Sequence, residues 1–367
     1  MPILVVAIYL FYIALLWYTC RVWKKPLHTN DANNGNLFFS IVVPVRNEEK
    51  NIAACLHSLV HLDYPKDKYE IIIVNDHSTD ATEEKSLAFK NQITWLNSLE
   101  EGKKAALAQG VDRTKFDYLV FTDGDCVLPT TWLSQLNKTF TSTQATIITS
   151  NVCVEPENSV TSVFEYLETC GLMAVAKMGF YSGLFHLGNG AALSVKKSFF
   201  QAVGGFSDNK MLASGDDVFL LKMAAERNEK MWFMHEPGCF VKTKAQPNMH
   251  SLLAQRKRWA TKTSAYANAA LIGIQALVLI ANLLPLALWL WAVAFTCVCG
   301  LTWGLVALCI KLLTDYFYLS TLTPSFGGMV SVRKYLASST INMVVYIYMS
   351  FNALLPSGIE WKNRKTR

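Results

Sequence analysis

The sequence predicts an α/β domain built on a mainly parallel sheet and flanked by membrane-spanning helices. Three observations carry this. Short apolar, β-branched runs alternate with helix-patterned stretches between residues 37 and 263. Three of those runs end in polar clusters, which is where an open parallel sheet binds its ligands. Outside that region the chain turns into long apolar segments with little charge. The 51% hydrophobic content is slightly above that of soluble domains, and the 17% charged content is well below it.

The first 20 residues, MPILVVAIYLFYIALLWYTC, carry no charge and reach the length of a span, and RVWKK follows at once. A signal peptide would place its charges ahead of the apolar run and offer a small-residue cleavage site. Residues 1–20 are therefore expected to be an uncleaved anchor, with RVWKK on the cytoplasmic side. LFFSIVVPV (37–45) reads as a strand, followed by helical spacing of Ile52, Leu56, Leu59 and Val60. YEIIIVND (69–76) is the second strand, and ITWLNS, EGKKAALAQGVDR and FDYLVFTD continue the alternation. Continuous apolar strands in this order argue for a parallel sheet covered on both faces. The globular domain is placed at 37–263.

Residues 265–310 are apolar over roughly twice the ~20 residues of one span, so a hairpin is expected, turning near Asn282 and Pro285. A further span is expected at 336–355, and 356–367 form a basic tail. Keeping that tail on the cytoplasmic side requires 311–330 to span, re-enter or lie in the interface.

The net charge of +6 sits largely beside these apolar segments. It describes a basic rim facing membrane lipids, and a nucleic-acid partner is not expected. Nine scattered cysteines, without CxxC or Cys/His zinc spacing, predict neither a structural metal nor a disulfide framework. No P-loop, dinucleotide fingerprint or serine nucleophile elbow occurs. GNGAAL (188–193) is glycine-rich but lacks the phosphate-loop lysine.

Five groups of residues could carry chemistry. On an extended backbone the side chains of Asp123 and Asp125 would converge, and Gly124 would leave room for a ligand. Two hard oxygen donors suit Mg or Mn, whose remaining ligands are water and phosphate; the same residues also suit an Asp-Gly turn. Asp76, at a strand end, can accept hydrogen bonds from a nucleoside, while Ser78, Thr79 or Asp80 can cap the next helix. Lys103 and Lys104 open a helix and suit a phosphate, or are a solvated surface pair. Asp216 and Asp217 begin an amphipathic helix; Ser214 and Asp217 resemble a capping box, and Asp217 suits a general base. In QRKRW, Gln255, Arg258 and Trp259 share one helical face, fit for a phosphate clamp or for an interfacial anchor.

In order, IVVPVRNEE, IVNDHSTD, GKKAAL, FTDGD, GNGAALSVKKSFFQAVGGF, SGDDVFLL and QRKRW resemble the family 2 glycosyltransferases. These are inverting nucleotide-sugar enzymes of GT-A fold, and the resemblance is to their membrane-embedded branch, covering residues ~38–263. The resemblance implies Asp76 at the donor nucleotide, Lys103 near the diphosphate, and Asp123 and Asp125 as the DxD pair with its divalent metal. It implies Asp217 as the base, second acid of the ED motif, and Gln255, Arg258 and Trp259 as the QxxRW motif closing over donor and acceptor. Asp216 replaces the longer first acid, and His77 stands where many relatives carry a small or acidic residue. The expected activity is transfer of a sugar, from a UDP-sugar ahead of a GDP-sugar, to a lipid-linked or polysaccharide acceptor at the cytoplasmic face of the inner membrane. Other envelope-biosynthesis proteins would be partners. The rival readings are a processive polysaccharide synthase and an inactive nucleotide-binding membrane scaffold.

Overall fold

Every residue of the run Phe39–Val45 is buried, and so are six of the seven in Tyr69–Asn75. That is the condition under which aliphatic, β-branched strands pair in parallel between two helical layers. The computed structural model describes residues 2–25, 36–206, 216–236, 238–266, 268–296, 298–329, 331–352, 359–361 and 364–366. Ser214, expected to cap a helix, and half of the 356–367 tail lie outside them.

The elements begin with α1 (Pro2–Trp23), β1 (Phe39–Val45), α2 (Ile52–Val60), β2 (Tyr69–Asn75), α3 (Thr82–Ser86) and β3 (Thr94–Asn97). There follow α4 (Lys103–Asp112), β4 (Tyr118–Phe121), β5 (Cys126–Val127), α5 (Trp132–Thr143), β6 (Ile147–Ser150) and β7 (Val152–Glu155). Next come α6 (Val160–Ser182), β8 (Leu193–Lys196), α7 (Lys197–Ala202), α8 (Asp216–Glu226), β9 (Met231–Met234) and β10 (Val241–Lys244). The chain closes with α9 (Met249–Tyr266), α10 (Ala269–Ala294), α11 (Val298–Leu322), α12 (Val332–Asn352) and the hairpin β11 (Ile359–Trp361) to β12 (Arg364–Thr366).

Two compact units result. The first takes Pro26–Cys153, His186–Lys244 and Gly358–Arg367; the second takes Met1–Lys25, Val154–Phe185 and Ala245–Ser357. Residues 154–185 and 245–263, read in the sequence as part of the central domain, thus group with the helices.

The first unit is built on a seven-stranded sheet of order β3-β2-β1-β4-β8-β6-β9. Only β8 runs antiparallel to its neighbours, so the sheet is mainly parallel, as expected. Val45 pairs with Asn75 and Val42 with Phe121, which brings the carboxyl ends of β1, β2 and β4 to one edge. Order reverses between β1 and β4, where open α/β sheets leave a crevice. Helix α4 lies close on this edge because of Gly110. A Cβ there would sit 2.5 Å from Val42 Cγ1 and 3.0 Å from Val74 Cγ2.

The second unit is helical. Among the described residues three helices are long and apolar enough to cross a membrane, Pro2–Trp23, Ala269–Ala294 and Val298–Phe326; α12 is not among them. Two sequence expectations are corrected here. No turn occurs near Asn282 and Pro285, since α10 runs through both to a C-cap at Phe295. A proline leaves the carbonyl four residues earlier without its helical donor. That carbonyl, of Ala281, accepts the Tyr9 hydroxyl of α1 at 3.0 Å, and Asn282 turns its amide back to the Val278 carbonyl at 2.8 Å. Nor do residues 311–322 form a separate segment, for α11 continues through Lys311 to Leu322. Lys311 is fully buried and donates to Asp315 Oδ2 at 2.6 Å, one turn on. Asp315 Oδ1 accepts the Tyr12 hydroxyl at 2.6 Å. The charge that looks like a helix boundary in the sequence is neutralised inside the bundle.

Candidate active site

The site grows out of the loops after β1, β2 and β4 in the first unit. The first two loops interlock through side chains bonded to backbone. The Asn47 amide donates to Ser78 Oγ at 3.0 Å, the Glu49 amide to Asp80 Oδ2 at 3.0 Å, and the Thr79 amide to Asn47 Oδ1 at 2.8 Å. Ser78 and Asp80 therefore serve the neighbouring loop, and Asp80 Oδ1 also accepts the amide of Thr82, the first residue of α3, at 3.0 Å, although the N-cap position itself is Ala81. Burial works to raise the Asp80 pKa, but hydrogen bonds from Thr82 and the Glu49 amide outweigh it and hold the carboxyl below its usual value.

Asp76 follows β2 and is 1% exposed. Its Oδ1 accepts the Gly102 amide at 3.0 Å, with Arg46 Nη1 at 4.0 Å and His77 Nδ1 at 3.3 Å. Gly102 is the N-cap of α4 at φ 115, a conformation that only glycine adopts readily. Asp76 thereby sets where α4 begins, and Lys103 is the first residue of that helix. Lys103 Nζ donates to Asp123 Oδ1 at 2.5 Å.

Asp123 and Asp125 do not lie on extended backbone. The Cys126 amide donates to the Asp123 carbonyl at 3.1 Å, closing a four-residue turn. Gly124 is required by packing rather than by ligand approach, because a Cβ would sit 2.8 Å from Val45 Cγ1 and 3.2 Å from Glu48 Cγ. Two thiols back the turn, with Cys55 Sγ 3.7 Å from the Asp123 carbonyl and Cys126 Sγ 3.4 Å from Asp125 Oδ1. Burial first, and then the nearby carboxylates, push both thiols well above their usual pKa, so they stay protonated.

Asp217 is the second residue of α8 and is 7% exposed. Its Oδ1 accepts the Val218 amide at 2.9 Å and its Oδ2 the Gly190 amide at 3.2 Å. Gly190 belongs to the GNGAAL segment, and sequence reasoning missed its part. The available signal was the segment's two glycines. Gly188 admits Leu221 of α8, whose Cδ1 would be 2.7 Å from a Cβ, while a Cβ on Gly190 would meet nothing.

Lys103, Thr122, Asp123, Gly190 and Asp217 line one small cavity, with Leu107, Phe121, Leu193 and Phe206 as its apolar wall. Phe121 and Phe206 pack edge to face at 5.7 Å, which stiffens that wall. Asp76 joins this group through Gly102, and Asp125 through its turn. Gln255, Arg258 and Trp259 lie on α9 of the helical unit, all half-buried.

Among the described residues no three His, Cys, Asp or Glu side chains cluster for a metal. A cation here would take protein oxygen from Asp123 and Asp125 and complete its shell from a ligand. Two observations fit that: Asp123 keeps 34% of its side chain exposed, and the buried Thr122 hydroxyl beside it has no hydrogen-bond partner among the described residues. Hard oxygens with an incomplete shell favour Mg or Mn.

Residues 40–189 match glycosyl transferase family 2, and residues 118–351 match glycosyl transferase family group 2. Over 210 residues the chain is 29% identical to glycosyltransferase AglE of Haloferax volcanii, covering 55% of this chain and 66% of that protein. Over 255 residues it is 25% identical to a beta-monoglucosyldiacylglycerol synthase of Nostoc sp., covering 65% and 52%. The chain thus spans 52–66% of the length of these relatives. A mannosyltransferase from Pyrobaculum calidifontis, solved with GDP-Man and Mn2+, shares the fold at a TM-score of 0.57 and 19% identity, over 96% of this chain and 95% of that one. The expected α/β, GT-A architecture is borne out. With more than half its length matched, the protein belongs to glycosyl transferase family group 2.

Proposed function

We propose that the protein is a membrane-bound, inverting glycosyltransferase that moves a sugar from a UDP-sugar to the hydroxyl of a lipid-linked or polysaccharide acceptor. The observation that carries this is the single cavity beyond β4 that brings Lys103, Asp123 and Asp217 together. A cation, a carboxylate suited to a metal and a second carboxylate fixed by two amides are the parts this transfer needs.

The acceptor oxygen attacks the anomeric carbon as the bond to the diphosphate oxygen breaks. Asp217 takes the acceptor's proton, and the amides of Val218 and Gly190 hold its carboxylate in one orientation. Lys103 offsets charge on the departing nucleoside diphosphate. Asp123 and Asp125 would hold Mg or Mn, which supplies further charge neutralisation to that leaving group. Asp76 serves the nucleoside end and orders Gly102 and Lys103. Gln255, Arg258 and Trp259 are assigned to donor binding.

The membrane assignment is supported by the three apolar helices, and the basic RVWKK segment favours a catalytic unit on the cytoplasmic side of the inner membrane. The relative named for monoglucosyldiacylglycerol synthesis supports a lipid acceptor.

Chelation tests the metal part. EDTA should lower transfer by about 100-fold or more, and added Mg or Mn should restore it, in line with loss of one large electrostatic element. An enzyme indifferent to chelation would remove the metal role from Asp123 and Asp125.

A further inference from the structure

Between Gln255 and Trp259 lies Arg256, a residue that the spacing of the motif passes over. It is 6% exposed and held in the helical unit by two glutamates of α6. Its Nε and Nη2 both lie 2.7 Å from Glu168 Oε2, and Nη2 is 3.7 Å from Glu165 Oε1. Glu165 is itself fixed, since its Oε2 accepts the Gln246 amide at 2.6 Å. The rest of the guanidinium is turned to the motif. Nη1 donates to Gln255 Oε1, and the guanidinium carbon lies over the Trp259 ring, 4.2 Å from its centre.

A salt bridge that only tied α9 to α6 would need charge alone, and a lysine would provide it. Here an edge serves the two glutamates, a remaining N–H serves Gln255 and the guanidinium carbon sits over Trp259, a spread of contacts that a compact ammonium does not reproduce. Gln255 and Trp259 are half-buried, so without this contact each would keep several rotamers.

We infer that Arg256 is a positioning residue, anchored by Glu168 and Glu165, which fixes the side chains of Gln255 and Trp259 in one arrangement before substrate arrives. The inference rests on the proposed role of those two side chains in transfer. Arg256 touches no substrate in this account. It acts by removing a search that each catalytic cycle would otherwise repeat, and a misplacement of about 1 Å in such groups costs on the order of 100-fold in rate.

The test uses the full chain in detergent micelles, labelled with 5-fluorotryptophan. The Trp259 signal is assigned by its loss in Trp259→Phe. Arg256→Lys should move that fluorine signal and lower kcat/KM by about 10- to 100-fold. In a Gln255→Ala, Trp259→Phe background the same change should cost less than about 3-fold, since its targets are already gone. Should Arg256→Lys fail to fold, Glu168→Gln keeps the arginine, frees its anchor and should move the same signal. An unmoved signal in both variants overturns the inference. So does an equal loss of kcat/KM in both backgrounds, which would mark Arg256 as a fold contact only. Wild-type turnover in Gln255→Ala and Trp259→Phe would instead overturn the parent role of those side chains, a pattern that leaves the fluorine result standing on its own.

Discussion

Asp217→Asn is expected to lower sugar transfer by about 10²–10⁴-fold, the usual range for loss of a general base. Donor binding should change little, because Lys103, Asp123 and Asp76 are untouched. The substitution keeps shape and one acceptor oxygen but removes the proton sink. Asp217 accepts two backbone amides, from Val218 and Gly190, and an asparagine can satisfy only one of them through its single oxygen. That lost charge-assisted bond costs about 1.5–3 kcal/mol, which is felt in folding and in donor-free enzyme alike, whereas loss of the base is felt only in the transfer step. Single-turnover transfer and nucleotide titration on the same preparation separate the two effects. Wild-type turnover in the variant would move the base elsewhere.

Lys311→Met should destabilise the helical unit by about 3–5 kcal/mol, the cost of leaving a buried charge without its partner. Lys311 is fully buried and its ammonium lies 2.6 Å from Asp315. After substitution only the Tyr12 hydroxyl would still be bonded to that carboxylate among the contacts described here. Combining Lys311→Met with Asp315→Leu should recover most of the loss, since an apolar replacement of both partners is close to neutral. Thermal unfolding in detergent measures both. A double variant as weak as the single one would show that the lysine matters for packing rather than for charge.

Burial explains which features could be read from the sequence alone. LFFSIVVPV and YEIIIVND announced parallel strands because strands buried on both faces tolerate no polar alternation. Asp76, Lys103, Asp123 and Asp217 were nameable because each ends or begins an element, where the fold places ligands. Their connections were not. Gly102 and Gly190 reach Asp76 and Asp217 through backbone amides, and an amide leaves no trace in residue identity. The Asp-Gly-Asp turn misled for a related reason. Gly124 looks like space for a ligand, yet it is demanded by Val45 and Glu48, far away in sequence. The helix errors share that origin. Pro285 reads locally as a break, yet the carbonyl it orphans is answered by Tyr9 of α1, 272 residues before Ala281. Lys311 reads as a boundary, yet it is paired in its own helix with Asp315, whose other oxygen takes Tyr12 of α1. Arg256 escaped notice because its partners, Glu165 and Glu168, come from another helix.

In the proposed reaction the cavity of Lys103, Asp123 and Asp217 moves a sugar from a nucleotide donor. This transfer is tested most directly by incubating membranes that contain the full chain with a panel of radiolabelled UDP- and GDP-sugars. Label is expected in a lipid or polymer product from one UDP-sugar, of inverted anomeric configuration, and none when the membranes carry Asp217→Asn. Retained configuration, or equal labelling by the variant, would contradict it.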